Sequence, residues 1–253
     1  MHPDQIDPKA GERSYYANIG LEGQAHTRAK PFSDGRCGRY LADLGVILEM
    51  IEPPPRKILD LGCGVGWTSR LLARRGHLVT GVDISPDAIA AARELAAAEQ
   101  ISNVQFIEGD YEVEIAEASY DFVLFYDTLH HAEDERAALQ TAFRALKPNG
   151  AVLAFEPGYG HSQTEVSVHA VKKFGVHERD MPPQKIVSTG KAVGFQRSLF
   201  LPLPHDIVRS LYRRDYFAAP TRWRLVLEKL WGYYRTLGWL ISQKRGGLTI
   251  LWK

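Results

Sequence analysis

The sequence predicts an α/β fold: a doubly wound, mostly parallel seven-stranded sheet with an N-terminal helical lid and a helical insert before the last strand. Three observations predict it. From residue 57 onward, short apolar runs alternate with segments of helical period, the pattern of a parallel sheet covered on both faces. The first run enters a glycine-rich turn, ILDLGCGVGW (58–67), at the crossover where open α/β sheets place ligands. A long basic and aromatic stretch separates the last two strand patterns.

Residues 1–35 mix Gly, Pro and charge with aromatics at Tyr15, Tyr16 and Phe32. In residues 38–51, Leu41, Leu44, Ile47, Leu48 and Ile51 fall at helical spacing, and Pro53, Pro54 and Pro55 end the helix. KILDLG (57–62) is a strand bounded by glycine, followed by a helix over 67–76 stopped by Gly76. HLVTGVD (77–83) is the second strand. The helix 85–99 has Ser85 at its N-cap, Pro86 at its first position and Asp87 in its first turn. VQFIEGD (104–110), YDFVLFYD (120–127) and AVLAFEP (151–157) read as the third, fourth and fifth strands. Between the last two, a helix presents Leu139, Ala142, Phe143 and Leu146 on one face and stops at Pro148-Asn149-Gly150. Ser162 with Glu165 makes a capping box for a helix reaching about Phe174. A further helix runs from Pro183 to about Val193, before the strands FQRSLFLPL (195–203) and LTILWK (248–253).

The 253 residues suffice for one large α/β domain or a domain with an insertion. Hydrophobic residues at 45% and charged residues at 24% fit a soluble globular chain. A net charge of +1 gives no overall field directed at nucleic acid or anionic membrane. Two cysteines, Cys37 and Cys63, argue against a disulfide framework. The polar N-terminus lacks the apolar core of a signal peptide. No apolar run approaches the ~18 residues of a membrane span. Together these predict a cytoplasmic protein.

The turn after the first strand carries Gly62, Gly64 and Gly66, and Trp67 occupies the place of the third glycine of a dinucleotide fingerprint. With Asp60 ahead of it, the G-x-G-x-G turn suits a ligand that bears an ammonium group. No G-K-[ST] closes it, so it is not a P-loop. Over about residues 55–160 the chain resembles the class I S-adenosylmethionine (SAM)-dependent methyltransferases, whose first motif matches DLGCGVG. The resemblance implies a Rossmann-like core, SAM as methyl donor and S-adenosylhomocysteine as product. It implies that the backbone from Gly62 through Cys63 and Gly64 to Gly66 lies along the methionyl and ribose parts, with Asp60 at the amino group. It places Asp83 on the ribose hydroxyls, Ile84 on the adenine face, Asp110 at the adenine amino group with Tyr111 beside it, and Phe125 at the methionyl part.

Methyl transfer to a hydroxyl needs alignment and a base. The base is expected beyond the fourth or fifth strand, which nominates Asp127, His130, His131 and His161. His131 is preferred, with Asp127 orienting it or acting in its place. Adjacent side chains rarely point the same way, so one of the two neighbouring histidines is expected to pack under the loop. No metal site is expected, since the pair lacks helical i,i+4 ligand spacing. Asp134 reads as the next N-cap. Tyr15, Tyr16 and His26 are candidates for a lid.

Residues 205–246 hold nine Lys/Arg against three Asp/Glu, with eight aromatics. Arg209, Arg213, Arg214, Arg222 and Arg224 alternate with Tyr212, Tyr216, Phe217 and Trp223, and Trp231, Tyr233, Tyr234 and Trp239 follow. The readings are an acceptor-binding cap, a homodimer contact or a peripheral membrane surface. The expected organisation is a lid segment (1–52), a SAM-binding core (53–203), the insert (204–247) and the last core strand (248–253). The expected function is methyl transfer, as O-methylation, to a small-molecule or glycan-type acceptor, with nucleic acid disfavoured. The alternatives are a tRNA/RNA or lipid-linked-substrate methyltransferase, and a SAM-binding protein without catalysis.

Overall fold

A computed structural model describes residues 7–113, 119–212, 215–218, 221–241 and 245–253. Arg213 and Arg214 and the side chain of Trp239 lie outside the described set. Helices α1 (Ala10–Asn18), α2 (Gly20–Arg28) and α3 (Cys37–Ile51) precede the sheet. The alternating part follows as β1 (Lys57–Leu61), α4 (Trp67–Arg74), β2 (Leu78–Asp83), α5 (Pro86–Ala98), β3 (Val104–Glu108), β4 (Tyr120–Tyr126), α6 (Glu135–Ala145) and β5 (Leu146–Glu156). Then come α7 (Glu165–Phe174), α8 (Pro183–Val193), β6 (Arg197–Pro202), α9 (Pro204–Leu211), α10 (Asp215–Ala218), α11 (Arg222–Ile241) and β7 (Gly247–Trp252). No helix among the described residues is long and apolar enough to cross a membrane.

The seven strands form one sheet in the order β3-β2-β1-β4-β5-β7-β6. β1 to β5 run parallel, and β7 is antiparallel to both β5 and β6. The strand order reverses between β1 and β4, so the two central strands diverge into loops at their C-terminal ends and leave a crevice there.

Strand alternation divides the core into two layers. Leu59, Leu61, Val123, Phe125 and Val152 face one side, against Leu139 of α6 and Ile186 of α8. Ile58, Leu124, Leu153 and Ile250 face the other, against Leu44, Ile47 and Ile51 of α3 and Leu72 of α4. A sheet buried on both faces has to be apolar at successive positions, which is why these strands read as continuous runs.

Local signals place most helix starts. The Ser85 side chain accepts from the Ala88 amide, and Asp134 accepts from the Arg136 and Ala137 amides. Two boundaries differ from expectation. Thr164, not Ser162, caps α7, because its hydroxyl accepts from the Ser167 amide; the Ser162 amide instead donates to Asp180. α6 stops at Ala145 and β5 begins at Leu146, with a register shift against β4 across the Pro148-Asn149-Gly150 turn. Proline lacks the amide that a regular ladder needs, and Asn149 takes a left-handed φ of 65°, so the strand bulges there.

Candidate active site

β1 runs into Gly62 at φ +71°, a conformation that costs glycine little. A Cβ at this position would run into the Thr128 side chain. At Gly64, φ is +54° and the space where a Cβ would point is open. That space belongs to a cavity of about 340 Å³ at the switch point. The turn is fixed from below. Asp60 is buried, and its Oδ2 accepts from Thr68 Oγ1 and Ser69 Oγ, both at 2.6 Å. Burial pushes the Asp60 carboxyl up to about 6, against the pull of those two hydroxyls. From the next strand, Asp83 Oδ2 accepts from the Gly64 amide at 2.8 Å and Oδ1 from the Ser85 amide at 2.9 Å. Burial raises its pKa, and the two amides act the other way.

The opposite wall follows β4. Asp127 holds a left-handed φ of 56° and is exposed to the cavity. The next residues turn sharply because Glu156, buried at the end of β5, accepts from three successive amides: Thr128, Leu129 and His130. The same carboxylate accepts from His130 Nδ1 at 2.7 Å. His130 is therefore buried and fixed, with Nε2 3.7 Å from Glu178 Oε2. His131 Nδ1 donates to the His177 carbonyl at 2.6 Å. Burial disfavours the charged ring of His131, but Glu12 and Glu178 outweigh it and hold its pKa at about 9. His161 Nε2 donates to Glu178 Oε2 at 2.6 Å, which raises the His161 pKa. Burial opposes charge on Glu178, and His161, His131 and His130 together keep its carboxyl below the usual range.

The third wall is α1 with its N-cap Lys9; the helix contributes Glu12, Tyr15 and Tyr16. Lys9 Nζ bonds Asp110 Oδ2 at 2.7 Å and pairs with Glu112 Oε1 at 2.8 Å. Glu12 accepts from the His177 amide at 2.7 Å. Lys30, from the segment after α2, also lines the cavity, and burial lowers its pKa. A second cleft of about 320 Å³ shares Tyr40, Tyr126 and Asp127 with the first, and reaches Arg36, Arg39, His161 and His205.

Of the residues nominated from the sequence, Gly62, Cys63, Gly64, Asp83, Ile84, Asp110, Tyr111, Asp127 and His131 line the main cavity. His161 lines the adjoining cleft. Two placements differ from expectation. Phe125 is fully buried in the core against Tyr111. Side chains alternate along β4, so Tyr126, its last residue, faces the cavity in its place. Asp60 supports the turn from below and Gly66 ends it at the N-cap of α4; neither is on the cavity wall. Of the two adjacent histidines, His130 packs under the loop on Glu156 and His131 lines the cavity, with the ring centroids 4.2 Å apart. Of the lid candidates, Tyr15 and Tyr16 reach the cavity, and His26 points instead toward Asp34 at 3.8 Å.

Glu12, Lys30, Glu156 and Glu178 also belong to these cavities and are marked by no motif in the sequence. Glu156, a carboxylate at the last position of an otherwise apolar strand, was the one with a readable signal. The ligand atoms of His130, His131 and Glu178 all lie within 4.8 Å of one another.

Residues 59–154 match a family model described as a methyltransferase domain. The mitochondrial ubiquinone biosynthesis O-methyltransferase of Schizosaccharomyces pombe is 37% identical over 100 residues, 39% of this chain and 36% of that protein. The tRNA 5-carboxymethoxyuridine methyltransferase of Escherichia coli (strain K12) is 35% identical over 123 residues, 47% of each chain. The chain thus spans less than half the length of these relatives. The latter protein acts on tRNA, so an overall charge near zero does not argue against a nucleic-acid acceptor; net charge averages away local patches. Haemonchus contortus phosphoethanolamine N-methyltransferase 2, solved with phosphomonomethylethanolamine and S-adenosylhomocysteine, superposes with a TM-score of 0.66 at 20% identity, over 98% of this chain and 60% of that one. A Haloferax volcanii complex of the Trm112 methyltransferase activator with a methyltransferase gives a TM-score of 0.61 at 17% identity, over 98% and 99%. At these identities the likeness is one of fold.

Proposed function

We propose, from the match of residues 59–154 to a methyltransferase-domain family model, that the protein is a class I SAM-dependent methyltransferase and transfers the SAM methyl group to a hydroxyl of a small-molecule or glycan-type acceptor. The observation that carries this reading is the junction of two cavities at Asp127. One is walled by the glycine turn and Asp83, and the other opens past Tyr40 and Tyr126 to Arg36 and Arg39.

The open space at Gly64 fits a ligand laid against the backbone. Each Asp83 oxygen accepts one amide and keeps capacity for a ribose hydroxyl. Ile84 and Tyr111 flank the adenine end, and Asp110, tied to Lys9, closes it. Bound SAM supplies a methyl group already activated on a sulfonium. The protein aligns the acceptor with that methyl and excludes water, and α1 provides much of the exclusion.

With no cation bound, Glu12 and Glu178 hold the His131 pKa at about 9, so the ring carries its proton at neutral pH. It is no base, whether it keeps that proton or gives it up to a cation, and Asp127, at the junction, takes the acceptor's proton. Asp127→Asn is expected to lower kcat by about 10²–10⁴ with SAM affinity retained. Radiolabelled methyl transfer to a panel of acceptors tests the class. A protein that binds SAM and turns over no acceptor would support the non-catalytic alternative. An RNA acceptor would reveal itself by binding that weakens steeply with salt.

The insert favours a peripheral role. Along α11, Trp223, Leu227, Leu230, Trp231, Tyr234 and Leu237 are more than half exposed. Four basic residues, Arg222, Arg224, Lys229 and Arg235, share the helix with a single acid, Glu228. Apolar and aromatic exposure beside excess positive charge suits the surface of an anionic bilayer, with an acceptor delivered from it.

A further inference from the structure

We propose that His130, His131 and Glu178 bind a divalent transition-metal cation at the edge of the methyl-transfer cavity. Their ligand atoms lie within 4.8 Å of one another. Ligands about 2.1 Å from a tetrahedral cation stand about 3.4 Å apart, so the three atoms draw closer to one another on binding. His130 Nε2 and Glu178 Oε2, at 3.7 Å, already have nearly this separation.

The surroundings are those of a built metal centre. A metal-binding imidazole generally donates its other ring nitrogen to a carboxylate or a backbone carbonyl, which fixes the tautomer and aims the lone pair. His130 does the first, through Nδ1 to Glu156, and His131 does the second, through Nδ1 to the His177 carbonyl. Both rings thus leave Nε2 for the cation. His161 in turn donates to Glu178 and orients its carboxylate. The three ligands come from two segments far apart in sequence, and all are shielded from bulk solvent, with side-chain exposures of 3%, 26% and 11%.

Two imidazoles and one carboxylate suit zinc, iron(II), cobalt or nickel better than magnesium or calcium. Three protein ligands leave a coordination position open. His131 and Glu178 line the cavity, so that position faces it. There the cation can polarise an acceptor oxygen. This last role rests on the methyltransferase reading; the binding does not.

The test uses the full chain without an affinity tag, stripped by chelator and titrated calorimetrically with zinc, then with cobalt followed by its visible absorption. One cation per chain is expected. Glu178→Gln and His130→Ala should weaken zinc at least about 100-fold, and Glu156→Gln by about 10- to 100-fold. His169→Ala, on the exposed face of α7, should bind as the wild type does. Circular dichroism and thermal unfolding report whether each variant is folded, and S-adenosylhomocysteine binding is measured on the wild type; if His130→Ala is not folded, the near-isosteric Glu178→Gln decides. No zinc binding by the wild type, or undiminished binding by Glu178→Gln, overturns the proposal. Zinc binding without S-adenosylhomocysteine binding would instead sink the methyltransferase reading and leave the metal site standing.

Discussion

Phe125 and Tyr126 are neighbours with opposite fates. Side chains on a strand alternate, so Phe125 enters the core and Tyr126 meets Trp67 at the cavity wall, with ring centroids 5.4 Å apart. Phe125→Ala is therefore expected to cost about 3–5 kcal/mol of stability and to leave S-adenosylhomocysteine affinity within a few-fold. Denaturant unfolding and calorimetry on the one variant check both; a stable variant with lost affinity would return Phe125 to the site. The same one-residue logic separates Thr128, which packs under Gly62, from Asp127, which the left-handed backbone turns out into the cavity. An acid at such a backbone position pays conformational energy to be there, a pattern that clusters at functional sites.

At the scale of elements, α3 and α9 are joined through a buried carboxylate. Asp43 accepts from Tyr126 Oη at 2.9 Å, from the His205 amide at 2.9 Å and from His205 Nδ1 at 2.7 Å. Burial disfavours charge on His205, but Asp43 outweighs it and raises the His205 pKa above its ordinary 6.5. A histidine whose folded pKa is raised adds stability that is fully present below the unfolded value and is lost as pH rises through the folded one. The stability gap between wild type and His205→Ala should therefore narrow as pH climbs from about 6.5 into the alkaline range. A gap that widens would rule out the charged pair. α11, by contrast, packs on α9 and leaves an apolar and aromatic face exposed. Trp223→Ser with Trp231→Ser should cut co-sedimentation with phosphatidylserine-containing vesicles at least tenfold and leave methyl transfer to a soluble acceptor unchanged. Vesicle binding equal to wild type, together with a concentration-dependent dimer that the two substitutions abolish, would assign this face to a second copy.

For the whole molecule, the cavity draws walls from α1, the β1–α4 turn, the end of β2, the end of β4 and the segment after α7. A ligand that fills it bridges parts of the chain that must all be folded. S-adenosylhomocysteine at 100 times its Kd should stabilise the protein by about 2.7 kcal/mol, a rise in Tm of roughly 5–10 °C for a chain of this size. Asp83→Ala should remove most of that rise, read by thermal unfolding with and without ligand. A full shift in Asp83→Ala would move the ribose contact elsewhere.

The sequence by itself determined the alternating architecture, the glycine turn, the caps at Ser85 and Asp134 and the acids at 83 and 110. Each depends on a period, a turn or a cap that lies within a few residues of chain. Only the tertiary structure decided which of these side chains share a wall. Glu12, Lys30, Glu156 and Glu178 reach the site from four separate segments, and no local pattern encodes a contact between residues 12, 131 and 178. The same holds for the histidine pair. Which of two adjacent rings is buried and which faces the cavity is set from outside their own turn, by Glu156 for His130 and by the His177 carbonyl for His131.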